Sequence, residues 1–517
     1  MRRPARPRTM ATAMGAAPSL RAVGMLLNIH AERDPDRPAL TFEGVTQTRA
    51  ELAARVNQRA RTLARAGVVE GDFVAIALPN CPAFLELAFA VWALGATPAP
   101  LSHKLPAPEL AGILELLRPR LIVIEDAARA GDWLRLSEGE TRDADADPSP
   151  LPEIASKHLK AIASGGSTGR PKVIVDMAPA MADPDILLLG MIPEDVLLNP
   201  GPLYHAAPFG MTCLAMGWGV HVVLMPRFDA EATLQLVDRY KVSWLFQVPT
   251  MMHRIWTLPD AVKAKYDMSS VDAVMHIAAM CPPWLKQKWI EWVGPETVWE
   301  IYTGTEALGG TAIRGVEWLD HPGSVGRCLP GYEMKVLNDV GEACAPGEVG
   351  EIYFMPLRGQ GSTYRYLGAE PRAQGTFETL GDMGYVDGDG WLYLADRRVD
   401  MLVTGGANVY PAEVEAVIDS FPGVLCSVVV GLPDADFGQR VHAIVETANG
   451  TLDEAALNAF LAERIVPYKR PRSLEVTAAR LRDDAGKVRR SALRAERMLV
   501  RQASPSEGKP VSLGSST

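Results

Sequence analysis

The sequence lacks several features that would narrow its function. It has six cysteines in 517 residues and no CxxC pair, so it carries neither a disulfide framework nor a zinc signature. The formal net charge is −10, and the sequence has no long basic run. A nucleic-acid partner is therefore not indicated, because proteins bind nucleic acids largely by neutralising phosphates with basic side chains. No stretch reaches the roughly eighteen uninterrupted apolar residues of a transmembrane helix. We therefore expect a protein of the reducing cytoplasm that acts on small molecules.

The composition is otherwise that of a globular protein, with 48% apolar and 22% charged residues, and the length exceeds what one hydrophobic core serves. Alternating helix and strand patterns predict an α/β fold with mostly parallel strands, followed by a β-rich subdomain. A short charged segment at 396–400 then precedes compact α+β material. We therefore predict a large N-terminal domain over 20–396 and a small C-terminal domain over 397–500, with a disordered extension at 1–19 and a disordered tail at 501–517.

Apolar periodicity predicts several individual elements. Residues 133–157 are polar and acidic and predict a surface loop, and residues 411–467 predict compact βαβ-like material. The clearest single elements are a helix over 49–66, a strand over 73–78, a helix over 83–94 and a strand over 121–124 that closes the first series.

Between residues 164 and 172 lies a segment of glycines, hydroxyl residues and cations that is typical of a phosphate-holding loop. Glycines let the backbone turn its N–H groups toward an anion, hydroxyls add donors and lysine adds charge. It is not a Walker A loop, because Pro171 precedes Lys172 and Val173 follows it, so the carboxylate for any metal must come from elsewhere. Composition alone fits a flexible Gly/Ser linker equally well. The candidate phosphate-binding residues are Ser164, Gly165, Gly166, Ser167, Thr168, Gly169 and Lys172.

Further motifs follow at large separations along the chain. They are IYTGTE at 301–306, GDMGYVD at 381–387 leading to ADR at 395–397, GGANVYPAEVE at 405–415 and DAGKVR at 484–489. In this order and spacing, and with the glycine-rich segment, residues 20–500 resemble the adenylate-forming ANL superfamily of acyl-CoA synthetases, luciferases and peptide-synthetase adenylation domains. The resemblance implies an AMP-forming acyl-CoA synthetase that uses ATP, Mg²⁺ and CoA and has a mobile small domain.

The resemblance also implies roles for single residues. Lys487, matched to the family's catalytic lysine, would bridge the acyl carboxylate and the α-phosphate, where two anions meet and charge accumulates in the transition state. Thr305 and Glu306 resemble the α-phosphate and Mg²⁺ contacts, so Glu306 would supply the carboxylate that the glycine-rich segment lacks. Without the motif around it, Lys487 reads as a solvated lysine in a polar turn.

A second group of residues resembles the family's nucleotide contacts. Tyr302 matches the residue that stacks on adenine, and Asp382 matches the carboxylate that grips the ribose hydroxyls, with Arg397 beside it. Ala278 and Ala279 are assigned to the same nucleotide site. Without the surrounding motif, Asp382 and Arg397 would be read as a turn residue and a surface cation.

The family's acyl tunnel corresponds here to residues 202–209 and 276–280, which are more apolar than polar. His205 stands at the family's gate position, although a packed core histidine is the alternative. No aspartate occurs in 204–209 to pair with an α-amino group, so the resemblance implies a hydrophobic acid rather than an amino acid. Small residues in these segments leave room for a wide acyl group. The form of the glycine-rich segment resembles that of ligases of steroid-like acids, so a bulky polycyclic acid, steroid- or terpenoid-like, is one candidate. The candidate pocket residues are His205, Phe209, Ala278 and Met280.

The chain departs from the family pattern at Val399, Thr303 and Val173, of which the last two each replace a glycine and remove no catalytic group. Val399 falls at the hinge, where aspartate or lysine is usual, and this puts the thioester half-reaction in question. Thr303 replaces the glycine that normally follows the adenine-stacking tyrosine, whereas Gly405 and Gly406 keep a loop that resembles the lining of the CoA tunnel. Two alternatives stay open: an enzyme that makes only the adenylate and passes it to a partner, and a non-catalytic nucleotide- or acyl-binding relative. A homodimer is also left open.

Overall fold

The computed structural model of the chain describes residues 19–165, 171–185, 188–397, 400–404, 407–434, 436–483 and 486–503. Their internal contacts divide the chain into two compact units. The first runs to Leu380 and includes Gly384–Leu394, and the second consists chiefly of Ala395–Asp483 and the residues from Lys487 onward. Within the described ranges, no helix combines the length and the apolar character needed to span a membrane.

Helices and strands alternate through the first unit, and the small second unit mixes both, which confirms the predicted fold class. The strands of the first half are β1 (Arg21–Ala22), β2 (Pro38–Phe42), β3 (Val45–Thr48), β4 (Phe73–Ala77), β5 (Thr97–Pro100), β6 (Leu121–Ile124), β7 (Arg135–Leu136), β8 (Ala161–Gly165), β9 (Pro171–Asp176), β10 (Met181–Ala182), β11 (Val196–Asn199), β12 (His221–Leu224), β13 (Trp244–Gln247) and β14 (Ala273–His276). Those of the second half are β15 (Val298–Thr303), β16 (Gly310–Arg314), β17 (Ser324–Cys328), β18 (Tyr332–Leu337), β19 (Gly350–Pro356), β20 (Tyr364–Leu367), β21 (Arg372–Gln374), β22 (Phe377–Val386), β23 (Leu392–Arg397), β24 (Leu402–Thr404), β25 (Ala407–Val409), β26 (Val424–Asp434), β27 (Gly438–Thr447) and β28 (Ser473–Thr477).

The helices carry most of the apolar surface that covers these strands. They are α1 (Val23–Arg33), α2 (Arg49–Arg65), α3 (Pro82–Ala93), α4 (Ala107–Leu117), α5 (Ala206–Gly217), α6 (Ala230–Tyr240), α7 (Pro249–Trp256), α8 (Asp260–Lys263), α9 (Pro283–Val293), α10 (Gly315–Asp320), α11 (Pro411–Ile418), α12 (Glu454–Arg464) and α13 (Arg490–Ala503). Short 3-10 helices lie at Ala127–Ala130, Gly139–Thr141, Leu188–Gly190 and Pro467–Lys469.

Two mainly parallel sheets share one hydrophobic core in the first unit. The order β2, β12, β11, β13, β14, β15 is parallel throughout and continues through antiparallel β16 and β17 into the β-rich part, while β5, β4, β6 and β7 form a second parallel sheet. Helix α3 is buried along nearly its whole length, because it is apolar around its circumference and packs in the core formed by residues of both sheets. The predicted elements at 49–66, 73–78, 83–94 and 121–124 are confirmed to within one residue at each end.

One sequence-based expectation holds only in part and another is wrong. Residues 133–157 lie mostly in loops, but Arg135–Leu136 adds a strand beside β6; a two-residue strand is too short to show periodicity. The segment 411–467 is not βαβ-like from its start, because β26 and β27 form an antiparallel hairpin. The βαβ unit is instead β27, α12 and β28, whose outer strands are parallel.

The topology places the site loops together at one edge. The loops after β14 and β15 leave the carboxyl ends of adjacent parallel strands, which is where open α/β sheets hold their ligands. The small antiparallel sheet β20–β9–β8 carries the flanks of the glycine-rich segment, with Ser164 opposite Lys172. The fold therefore brings three separate sequence motifs to one region of the first unit.

Candidate active site

A cation and a carboxylate from separate motifs meet in the first unit. Lys172 lies in β9 directly after the glycine-rich segment, and Glu306 follows β15. The Lys172 Nζ atom lies 3.4 Å from Glu306 Oε1, across 134 residues of sequence. Glu306 is only 7% exposed, so this pair is shielded from the water that weakens surface ion pairs. The structure thus joins the predicted phosphate-binding lysine to the predicted metal ligand.

Tyr366, which sequence reasoning missed, touches both of these residues. Its hydroxyl donates a hydrogen bond of 2.7 Å to Glu306 Oε1, and the Lys172 ammonium lies 4.1 Å from the centre of its ring. Burial, reinforced by the charge of Glu306, raises the pKa of Tyr366, so the hydroxyl keeps its proton and donates. The period-two pattern Tyr364-Arg365-Tyr366 was the available signal, because it puts both aromatic rings on one face of a strand.

Glu306 fits the predicted role of a magnesium ligand. Both of its contacts fall on Oε1, and Oε2 accepts no hydrogen bond from any residue that the structure describes. Among those residues there is no cluster of three or more metal-ligating side chains. Mg²⁺ is usually held by one or two carboxylates together with substrate phosphates, so a single glutamate in contact with Lys172 of the predicted phosphate-binding segment is compatible with such a site.

The turn after β15 carries the other residues of the IYTGTE motif. Tyr302 lies in β15, with its ring 6.2 Å from that of Phe354, and Thr305 is half-buried next to Glu306. The hydroxyl of Thr303 donates 2.7 Å to the carbonyl of Gly309. The replacement of the family's glycine by threonine is therefore accommodated by a local hydrogen bond and leaves the turn closed.

The loop after β14 contains strained backbone at a predicted nucleotide contact. Ala278 is exposed and has φ of 81°, a conformation that non-glycine residues rarely adopt and that is retained chiefly at functional sites. Ala279 and Met280 beside it are half-buried. Preceding the loop, His276 is fully buried and burial lowers its pKa to about 4, so it is neutral at physiological pH.

Two of the predicted acyl residues lie where α5 begins, His205 just before the helix and Phe209 in its first turn. His205 is half-buried, and its ring lies 4.6 Å from that of Tyr204. Phe209 is 1% exposed and packs at 5.8 Å against Trp92 in the core; its place in an acyl pocket stays a prediction. Buried Asn80 holds the loop before α5, since its amide donates to the carbonyl of Gly201 at 2.9 Å and its oxygen accepts from the N–H of Leu203 at 2.9 Å.

Other predicted site residues are placed only in part. Asp382 is half-buried in β22, and Arg397 ends β23. The backbone of Ser164 and Gly165 ends β8. The remaining predicted residues lie outside the described residues; they are Gly166, Ser167, Thr168, Gly169, Val399, Gly405 and Gly406.

Lys487 belongs to the second unit and closes a turn with Asp483, four residues before it. Its N–H donates to Asp483 Oδ1 at 2.8 Å, and the N–H of Asp483 donates to the Lys487 carbonyl at 2.9 Å. The residue itself is exposed. Buried Glu415 pairs with Arg482 before the turn, at 3.0 Å, and with Arg490 after it. The turn is thus fixed at both ends while its lysine is presented to solvent.

Two protein-family models match the chain. Residues 27–367 match the family described as AMP-binding enzyme, and residues 413–487 match the AMP-binding enzyme C-terminal domain. The chain belongs to the AMP-binding enzyme family. The resemblance to the ANL superfamily is confirmed, and this AMP-binding enzyme is an acyl-CoA synthetase, an AMP-forming acid:CoA ligase that works through an acyl-adenylate and uses ATP, Mg²⁺ and CoA.

Similar proteins cover nearly the whole chain. A feruloyl-CoA synthase from Amycolatopsis is 33% identical over 489 residues, which span 90% of this chain and 96% of that protein. The structure of o-succinylbenzoate CoA synthetase from Bacillus subtilis with its acyl-adenylate intermediate is 25% identical, with a TM-score of 0.77, and covers 92% of this chain and 98% of that one. The same synthetase in complex with ATP and magnesium ion gives a TM-score of 0.76 at 25% identity, with 92% and 100% covered.

Proposed function

We propose that this acid:CoA ligase activates a hydrophobic, ring-bearing carboxylic acid, with the predicted residues in the roles that the family resemblance implies. The observation that carries the proposal is the 3.4 Å approach of Lys172 to Glu306. It places a phosphate-seeking cation beside a buried carboxylate suited to Mg²⁺. A lysine in an unordered Gly/Ser linker would have no reason to meet that carboxylate.

The chemistry follows from bringing two anions together. An oxygen of the acid attacks the α-phosphorus of ATP, the bond to the β-phosphate breaks, and pyrophosphate leaves. Lys172 and Lys487 neutralise the charge that accumulates, Tyr302 stacks on adenine and Asp382 holds the ribose. In the second step the CoA sulfur attacks the acyl carbonyl, and AMP leaves. When bound, Mg²⁺ supplies charge neutralisation for the phosphates through Glu306.

Two observations support a hydrophobic acid. The proposed acyl segments carry the small residues Ala278 and Ala279, and no carboxylate lies between Tyr204 and Phe209 to pair with an amino group. Two of the similar proteins are named for feruloyl and o-succinylbenzoyl groups, both of which contain an aromatic ring, whereas others are named for fatty acids. A polycyclic acid, steroid- or terpenoid-like, is wider than these aromatic acids, and the small side chains of the proposed acyl segments would leave room for it.

A substrate panel tests the proposal directly. The purified protein is incubated with ATP, Mg²⁺ and a panel of cinnamic-type, benzoic, fatty, steroid-like and amino acids, with and without CoA. Pyrophosphate, adenylate and thioester are followed separately. We expect ring-bearing acids to give the highest kcat/KM. Equal turnover of amino acids would contradict the assignment of the acyl pocket, and adenylate without thioester would favour an enzyme that hands the adenylate to a partner.

Replacing Glu306 by glutamine is expected to raise the Mg²⁺ concentration for half-maximal pyrophosphate release about tenfold, the effect of about 1.4 kcal/mol of lost binding. An amide offers no anionic oxygen to a hard cation. The variant Glu300→Gln is not a suitable control, because Glu300 is buried against Lys286. Glu317→Gln, at an exposed position of α10, is the better one. An unchanged Mg²⁺ requirement in Glu306→Gln would remove the residue from the site.

The hinge residue bears on the second half-reaction. Lys487 must be present for adenylation and must then withdraw so that the CoA thiol reaches the acyl carbonyl, and a β-branched Val399 restricts the pivot more than aspartate or lysine does. We expect thioester formation from pre-formed acyl-adenylate to be slower than adenylation and to accelerate in Val399→Asp. Single-turnover mixing with CoA measures both rates. Equal rates in the natural protein, with no gain in the variant, would contradict this role of Val399.

A further inference from the structure

Strand β20 brings two tyrosines to one face, and they have matching contacts. The rings of Tyr364 and Tyr366 meet edge to face, with centroids 4.8 Å apart. Each hydroxyl donates to a buried glutamate: Tyr364 to Glu378 at 2.6 Å and Tyr366 to Glu306 at 2.7 Å. The two residues are therefore chemically alike, but of the two glutamates only Glu306 belongs to the candidate active site.

The hydroxyl of Tyr366 determines which oxygen of Glu306 is presented to a ligand. It donates to Oε1, the oxygen that also faces Lys172 at 3.4 Å. Two donors on one oxygen fix the rotation of the carboxylate about its last bond, which is otherwise broad. The other oxygen, Oε2, is then directed away from both donors.

The ring of Tyr366 acts on Lys172 separately from its hydroxyl. The ammonium lies 4.1 Å from the ring centre, well within the roughly 6 Å over which a cation is attracted to an aromatic face. Its 3.4 Å distance to Glu306 is longer than the roughly 2.7–2.9 Å of a tight charge-assisted hydrogen bond. Because the ring shares the ammonium, Lys172 does not close fully onto the carboxylate.

Building on the proposed function, we propose that Tyr366 is a positioning residue that keeps Lys172 and Glu306 side by side without mutual neutralisation. The hydroxyl orients the carboxylate for the metal, and the ring holds the ammonium for the phosphates. The two functions are separable, because phenylalanine keeps the ring and loses the hydroxyl, whereas leucine loses both.

Nucleotide binding, rather than turnover, tests the proposal. Titration calorimetry with α,β-methylene-ATP is carried out in Mg²⁺ and again in EDTA. We expect Tyr366→Phe to bind about three- to tenfold more weakly in Mg²⁺, the effect of one net hydrogen bond, and to bind like the natural protein in EDTA. Tyr366→Leu should be weaker in both solutions, because the ammonium is no longer held.

Tyr364→Phe is the matched control. It removes a hydroxyl that donates to Glu378 and keeps the hydrogen bond from Tyr366 to Glu306, so its affinity should equal that of the natural protein in both solutions. A loss in Tyr364→Phe as large as in Tyr366→Phe, or no loss in Tyr366→Phe, would overturn the proposal and leave the proposed function standing. A natural protein that binds the analogue in neither solution would overturn both.

Discussion

Replacing Lys487 by alanine is expected to slow pyrophosphate release about 10²- to 10³-fold, the scale of one preorganised electrostatic contact in a transition state. The fold should survive, because the lysine is exposed and its turn is closed through backbone N–H and carbonyl groups with Asp483. The loss should therefore appear in kcat, while the affinity for the acid changes little. Rapid-quench measurement of pyrophosphate in a single turnover gives the rate directly.

Two further variants separate charge from position. Lys469→Ala removes a lysine of the same unit that pairs with Glu413 on the surface, and it should leave the rate unchanged. Lys487→Arg keeps the charge but replaces a compact ammonium by a planar guanidinium, so it should recover only part of the activity. A Lys487→Ala rate within a few-fold of the natural rate would refute the catalytic assignment.

Sequence reasoning found the motifs because each is local. The residues of IYTGTE or DAGKVR stand next to one another, so their order alone carries the family resemblance. The order of the motifs does not show which of them are in contact. The contact between Lys172 and Glu306 depends on the pairing of strands from distant parts of the chain, which brings β9 close to the end of β15. Tyr366 was missed for the same reason, because its strand looks like any exposed β-segment until its two partners are in place.

The fold was predicted best where burial is uniform. Strand β6 is apolar throughout and helix α3 is apolar apart from Glu86, so both elements follow from the positions of their apolar runs. The hairpin of β26 and β27 was misread, because antiparallel and parallel pairing of two apolar runs give similar patterns and only the short connection between them distinguishes the two. The segment 405–415 resembles a family motif, but the resemblance does not explain the role of its last residue, Glu415.

The structure explains the role of Glu415, because this buried anion pairs with arginines on both sides of the turn that carries Lys487. Its carboxylate accepts from Arg482 at 3.0 Å, from the N–H of Val429 at 2.8 Å and from Arg490. Burial alone would raise its pKa, but the charges of Arg490 and Arg482 outweigh burial and lower the pKa below the ordinary value. The carboxylate is therefore ionised at neutral pH, and its stabilising effect is lost only as the pH falls through this lowered pKa.

Replacing Glu415 by glutamine should accordingly destabilise the second unit by about 3–5 kcal/mol at neutral pH, because it removes the buried carboxylate that both arginines share and leaves Arg490 with Asp400. Amide hydrogen exchange in β26 and β27 reports this local unfolding free energy. The matched control is Glu413→Gln on the same helix, whose side chain is 48% exposed in its pair with Lys469 and should contribute about 0–1 kcal/mol. The difference between Glu415→Gln and the natural protein should shrink in acid, where the natural carboxylate also becomes neutral. Equal exchange rates in the two variants at neutral pH would show that the turn carrying Lys487 does not depend on the ion pairs of Glu415 with Arg482 and Arg490.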